Sequence, residues 1–466
     1  MRTRAPALVA SFVVAASLIG SAAAQTPPAA TAPAAGPSAA APPVARTIRQ
    51  MLDRLHANGE FTGSILVARA GVVVYRDAIA ATPAEAAVEL EQPVGIASVA
   101  KGFTAMAVMR LHEQGTLAYD DPAARFVPGL ASLPAITIRH LLTHTSGIPD
   151  VGDLGIDQPG IGESDVVEAV RAHASAFAAP GTSYRYSNTG YMLLAMVVER
   201  ASGQGFDACL RATIFQPLGM YGTRSAQGDR APGTTKGDGG IVSTVDDLLL
   251  WDQALATGKL VTAATLTEAL TPPRVSEGTT TYGFGWNIEQ KAGDTYVWHT
   301  GNADGRRAFI GRRIHDGISI VILTLGASRR PEIADAIVDI LHDRPFTPPR
   351  LSVAPAVLAA IDDQGLEAGL ARYRQLRATE AAGYDFAEGE LNGLGYTLLG
   401  RGDVAGAVRV FELNTEQYPA SSNAFDSLGE ALGRAGRRDD AIKAYTHALE
   451  LDPHNLNARA MLEKIK

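Results

Sequence analysis

The stretch PVGIASVAKGFTAMAVMRLHE, residues 93–113, places Ser98 and Lys101 three positions apart at the head of an apolar segment. Residues at i and i+3 share a helix face, so the Lys101 amine can sit over the Ser98 hydroxyl. Nucleophile and base then lie within one turn. Phe103, Met106, Ala107, Val108, Met109 and Leu111 leave Arg110 as the main polar interruption, which predicts a helix buried in a core. Burial would lower the Lys101 pKa towards neutrality, and a helix N-terminus favours negative charge developing on Ser98. No other serine stands three residues before a lysine.

Upstream, residues 45–59 space Ile48, Met51, Leu52 and Leu55 as one helical stripe, and GSILVARA, Gly71 and VVVYRDA read as a β-hairpin. Downstream, ITIRHLLTHTSGIPD, residues 136–150, predicts a short helix that stops at Ser146-Gly147. His140 and His144 stand four apart there, but without an HExxH glutamate or a third ligand they read as loop-holding side chains rather than a metal pair. The polar loop GTSYRYSNTG, residues 181–190, aims Tyr186 and Asn188 the same way, a phenol able to shuttle a proton and an amide able to orient a substrate. Strands follow in TYVWHTGNADG, RRAFIGRRI and ISIVILTLG. In the first of them Gly301 permits close backbone approach and Thr300 offers a hydroxyl. A helix over 331–342 and the proline-rich PFTPPR end this region.

The 466 residues suffice for two to four domains, and a net charge of −8 gives no footprint of nucleic-acid binding. Cys209 is the only cysteine, which excludes an intramolecular disulfide and a cysteine-based metal cluster. Arg2 and Arg4, an apolar run over 5–20 and Ala22-Ala23-Ala24 before Gln25 predict a signal peptide over 1–24, cleaved after Ala24. The expected location is periplasmic or secreted, and no later segment is apolar enough to span a bilayer. Residues 25–44, nearly all Ala, Pro, Thr, Gly and Ser, predict a disordered tether.

Ser98-Val-Ala-Lys101, Tyr186-Ser-Asn188 and His299-Thr-Gly301, in this order, resemble the three active-site motifs of the β-lactamase-related serine hydrolases, the group of class C β-lactamases, D-alanyl-D-alanine carboxypeptidases, D-aminopeptidases and related esterases. The resemblance implies an α+β fold over 45–345, an antiparallel sheet flanked by helices with a helical lobe. It implies Ser98 as acylated nucleophile, Lys101 as its partner in proton transfer, Tyr186 as general base for attack and acid towards the leaving group, and Asn188, His299, Thr300 and Gly301 as substrate-binding residues. The backbone N–H groups of Ser98 and Asn302 would form the oxyanion hole. No metal or organic cofactor is implied. Class C β-lactamases carry Lys where His299 stands, so the resemblance leans towards carboxypeptidases and esterases. A carboxypeptidase also needs a cation for its substrate's carboxylate, with Arg306 and Arg307 as candidates. The alternative is a catalytically silent, penicillin-binding sensor acting through its C-terminus.

From Glu390 the chain repeats at a period of 34: Leu394/Leu428, Gly395/Gly429, Leu398/Leu432, Gly402/Gly436, Ala407/Ala441 and Pro419/Pro453. This is the tetratricopeptide pattern, expected after a linker at 346–353 as a helical array over 354–466 that could bind a protein partner, cap the hydrolase or dimerise. If the array only recruits the enzyme to an envelope complex, turnover of a small ester should survive truncation after about Pro349.

Overall fold

The structure, a computed structural model, describes residues 42–465 apart from 157–159, 226–235, 272–274, 276–280, 292, 304, 327–328 and 454. The signal peptide and most of the tether expected from sequence lie outside the described residues. The helix Pro43–Ala57 begins two residues before the expected boundary and buries Ile48, Met51, Leu52 and Leu55 along one stripe. Strands β1 (Thr62–Arg69) and β2 (Val72–Ile79) then pair antiparallel across a turn in which Ala70 and Gly71 both take left-handed φ, 49° and 79°. Two successive positive φ values match the right-handed twist of the flanking strands.

A small sheet, β3 (Val94–Gly95), β4 (Arg224–Ser225) and β5 (Ile241–Ser243), has β5 in its middle. The chain returns through β6 (Thr281–Tyr282), β7 (Asn287–Lys291), β8 (Asp294–Ala303), β9 (Arg306–Arg313) and β10 (Ile318–Leu325). Strand β10 pairs antiparallel with β1, which completes a seven-stranded sheet of order β2-β1-β10-β9-β8-β7-β6.

Strand alternation divides the core. Ile65, Val67, Phe309, Ile320 and Ile322 pack on the helices Pro43–Ala57 and Arg330–Leu341. Leu66, Ala308, Ile310, Val321 and Leu323 face the other way, into a larger cluster with the helix Lys101–Glu113 and the helical lobe. In that helix every residue from Lys101 to Met109 is buried, and Phe103 packs on Trp251 and Phe215 at ring separations of 4.5 and 5.3 Å. A circumference whose only polar side chains, Lys101 and Thr104, find partners inside has this outcome because no other face gains from contact with water.

A third cluster belongs to the C-terminal region. Strands β11 (Leu351–Ser352) and β12 (Tyr384–Asp385) bracket the antiparallel helices Val353–Gln364 and Leu366–Thr379. The pairs Glu388–Gly400 with Val404–Gln417 and Ser422–Arg434 with Arg438–Leu451 follow, then Leu456–Ile465. The 34-residue period has a steric basis. A Cβ added at Gly395 would lie 2.4 Å from Phe411, and one at Gly429 would lie 2.8 Å from Tyr445. Each glycine gives its helix close access to the ring of the next.

Candidate active site

Ser98 sits in a 3-10 turn, Ala97–Ala100, that runs directly into the helix Lys101–Glu113. Side chains at i and i+3 eclipse in a 3-10 turn, which brings them closer than an α-turn does. The Lys101 Nζ donates to Ser98 Oγ at 3.1 Å, to Asn188 Oδ1 at 2.7 Å and to the Asp238 carbonyl at 2.9 Å. Three donors therefore meet three acceptors. Burial pulls the amine down to about 8, against the opposing pull of the Asp238 and Asp150 carboxylates. Just before the nucleophile, Ala97 takes a left-handed φ of 45°, an uncommon conformation for a residue with a Cβ.

Asn188 begins the helix Asn188–Ser202, capped by the Ser187 hydroxyl. Asp150 fixes it twice, accepting from its backbone N–H at 2.6 Å and from Nδ2 at 3.1 Å. With Oδ1 given to Lys101, one amide hydrogen remains for a substrate. Tyr186, the adjoining loop residue, has its ring 4.9 Å from the Lys101 ammonium. Burial pushes its phenol above the usual range, opposed by a hydrogen bond with Ser98. His144 holds this loop on both sides of the tyrosine, its carbonyl accepting from the Arg185 N–H at 2.9 Å and its Nδ1 from the Ser187 N–H at 3.1 Å. Its ring lies 4.3 Å from that of Tyr186. His140 caps its own short helix, Ile138–Leu142, by accepting from the Thr137 N–H. Among the described residues no group of three His, Cys, Asp or Glu side chains is disposed to hold a metal ion.

The third motif lies on β8, whose pairing with β7 ends at Trp298 while β9 continues alongside to Ala303. His299 is buried and spends both ring nitrogens within the protein: Nδ1 on the Thr300 carbonyl at 2.6 Å and Nε2 on the Tyr282 hydroxyl at 2.9 Å. Burial first, then the nearby Lys101 charge, hold the imidazole down at about 3, so it is neutral at pH 7. A Cβ on Gly301 would lie 2.1 Å from the Ile96 carbonyl oxygen, so only glycine lets β8 approach the segment leading to Ser98. Arg330, at the start of the helix Arg330–Leu341, donates to Asn302 Oδ1 at 2.8 Å and to the Gly301 carbonyl at 3.4 Å. Strand alternation puts His299 and Gly301 towards the nucleophile and Thr300 and Asn302 on the other face.

The two candidate cations differ in place. Arg306 shares a face with Ala308 and pairs with Glu89 at 3.1 Å, whereas Arg307 shares a face with Phe309 and donates to the Arg306 carbonyl. Sequence reasoning missed Asp150, Tyr282 and Arg330 as site-shaping residues. Asp150 ends the stretch ITIRHLLTHTSGIPD and Tyr282 opens YGFGW, but nothing in either spacing names their partners.

A β-lactamase family model matches residues 44–343, nearly two thirds of the sequence. The chain belongs to the β-lactamase family. A tetratricopeptide-repeat model matches residues 422–455 of this serine hydrolase. Penicillin-binding protein 4* of Bacillus subtilis is 27% identical over 59% of this chain and 71% of its own length. Esterase EstB of Burkholderia gladioli is 36% identical over 38% of this chain, and the D-alanyl-D-alanine-carboxypeptidase/endopeptidase AmpH of Escherichia coli is 30% identical over 35%. The family hydrolase spans about half the length of each of these two, 50% and 49%. Among solved structures, an octameric penicillin-binding protein homologue from Pyrococcus abyssi aligns at a TM-score of 0.56 and 25% identity, covering 65% of this chain and 78% of its own. A D-amino acid amidase from Ochrobactrum anthropi shares the fold at a TM-score of 0.53 and 23% identity over 64% of this chain and 99% of its own.

Proposed function

We propose that this family hydrolase is exported, periplasmic or secreted, and cleaves an ester or amide through a covalent acyl-enzyme on Ser98, the hydrolase unit spanning residues 45–345. The carrying observation is Lys101: buried, with a pKa lowered to about 8 and its amine 3.1 Å from Ser98 Oγ. In its neutral form it takes the Ser98 proton as Oγ attacks the substrate carbonyl. Tyr186, whose raised pKa keeps it a neutral phenol, relays that proton to the leaving group, and water then hydrolyses the serine ester with the same groups in reverse. The backbone N–H groups of Ser98 and Asn302 receive the oxyanion, Asn188 gives its remaining amide hydrogen to the substrate, and the backbone of Thr300 and Gly301 lines the strand edge left open beyond β7.

The preferred substrate is an uncharged ester or an amide without a carboxylate on the side of the third motif. His299 supports this reading, being neutral with both nitrogens engaged, as does Arg306, which is neutralised by Glu89. The tetratricopeptide repeats are suited to a protein partner. The test is steady-state hydrolysis of p-nitrophenyl butyrate, nitrocefin and a diacyl-Lys-D-Ala-D-Ala peptide, with Ser98→Ala and a fluorophosphonate label alongside. Ester turnover and labelling that both vanish in Ser98→Ala are expected. D-alanine release as the dominant activity would overturn the substrate class, and absence of turnover and label would overturn the enzyme in favour of a ligand sensor.

A further inference from the structure

Consecutive residues at the start of the helix Arg330–Leu341 are held from opposite directions. Arg330 is 2% exposed and reaches the tail of the third motif, at Gly301 and Asn302. Arg329 reaches the C-terminal array: its Nη2 donates to Asp385 Oδ2 at 2.8 Å and to Glu390 Oε1 at 2.9 Å, and its Nε lies 3.4 Å from Glu60 Oε2. Three carboxylates thus surround one guanidinium. Their arrangement is over-determined, since Glu60 also accepts from the Ser352 N–H at 2.7 Å and from Asn58 Nδ2 at 2.5 Å, and Ser352 Oγ donates to Glu390. Arg54 adds bonds to the Pro349 and Gly383 carbonyls at 3.2 and 3.3 Å. A loose tether would leave such groups in water. Taking them out of water is costly unless the geometry is held, so the junction is a fixed joint.

The joint connects to the nucleophile segment through Arg330, Gly301 and Ile96. Gly301 packs against Ile96, whose carbonyl oxygen would sit 2.1 Å from any added Cβ, and Ile96 is two positions before Ser98. We propose that the C-terminal repeat array braces the third active-site strand, with Arg329 gripping the array and Arg330 holding Gly301 and Asn302 in place as positioning residues. This rests on the reading of Ser98 as nucleophile and of the β8 edge as part of the oxyanion site. It makes the array a determinant of turnover rather than a pendant, opposite to the independence expected of an array that only recruits the enzyme. A partner that draws Asp385 or Glu390 away from Arg329 would slow the enzyme from outside the cleft.

The test uses the full chain carrying Asp385→Asn with Glu390→Gln, which takes both array carboxylates from Arg329 without altering any residue between 45 and 345. Arg401→Gln, which breaks only the exposed Arg401–Asp362 pair within the array, is the control. Expected is a fall in kcat of roughly 3- to 30-fold with KM little changed. Amide hydrogen exchange in a peptide covering 296–303 should quicken as well, while the control matches wild type in both. A second variant, Arg329→Lys, keeps the charge but not the forked contact and should lose less of the rate than the double variant. Wild-type kcat and wild-type exchange over 296–303 in the double variant would overturn the brace. The exchange measurement needs no substrate, so it judges the brace even if Ser98→Ala were as active as wild type and the nucleophile reading fell.

Discussion

On the nucleophile side of the cleft a buried ammonium meets three oxygen acceptors, whereas on the strand side a buried imidazole gives both nitrogens to protein groups and stays uncharged. Both residues are desolvated and the same physics acts on both, yet the outcomes differ. Asp150 and Asp238 lie close enough to hold Lys101 near about 8, while His299 has Lys101 itself as its nearest charge and falls to about 3. Under the proposed mechanism, charge is thereby concentrated where a proton moves and withheld where a substrate lies. The contrast explains how one cleft can activate a hydroxyl without attracting every anion.

The comparison breaks most decisively at the nucleophile. Ser98→Ala should lower kcat/KM for p-nitrophenyl butyrate by about 10⁴- to 10⁶-fold, measured by steady-state kinetics. Lys101→Met should cost about 10²- to 10⁴-fold, the usual share of a general base. Because the proposed role requires a neutral Lys101, wild-type kcat/KM should rise with pH and level above about 8. A pH profile unchanged in shape in the variant would detach that limb from Lys101. Gly301→Ala forces β8 away from Ile96 and should cost about 10²-fold in kcat, the penalty for misplacement near 1 Å, with the fold retained by circular dichroism.

The strand side is sharpened by His299→Lys, which installs the missing cation. Turnover of nitrocefin relative to the neutral ester should rise about tenfold, the worth of one hydrogen bond to a charged group. An unchanged ratio would mean that the charge of this wall does not select the substrate. The smallest effect is on stability. The folded pKa of His299 lies below its ordinary value of 6.5, so its contribution is fully present above that pH and is lost as pH falls towards about 3. The stability gap between wild type and His299→Gln, read from urea midpoints, should therefore narrow on acidification from pH 7 to pH 4.

Legibility followed sequence distance. Ser98 and Lys101 were readable as a pair because three residues of helical backbone leave them no other relation, and the repeat period was readable because Gly395 and Gly429 answer to rings at fixed offsets. Asp150 and Asn188 are 38 positions apart, Asn302 and Arg330 28, and Tyr282 and His299 17. At such separations neither helical nor strand periodicity relates two side chains. His144 was legible as a loop-holding residue but not as the anchor of Tyr186, since its partners Arg185 and Ser187 lie beyond an intervening helix.

By itself the sequence determined the alphabet of the site: a serine and a lysine in one turn, a tyrosine and an asparagine on one loop, a histidine and a glycine at a strand end, and a helical array at a period of 34. Only the tertiary structure decided the charge each residue carries and which neighbours hold it. Protonation depends on burial and on groups such as Asn188 on Lys101 and Tyr282 on His299, brought within a few ångströms by tertiary packing, and no local pattern encodes that distance.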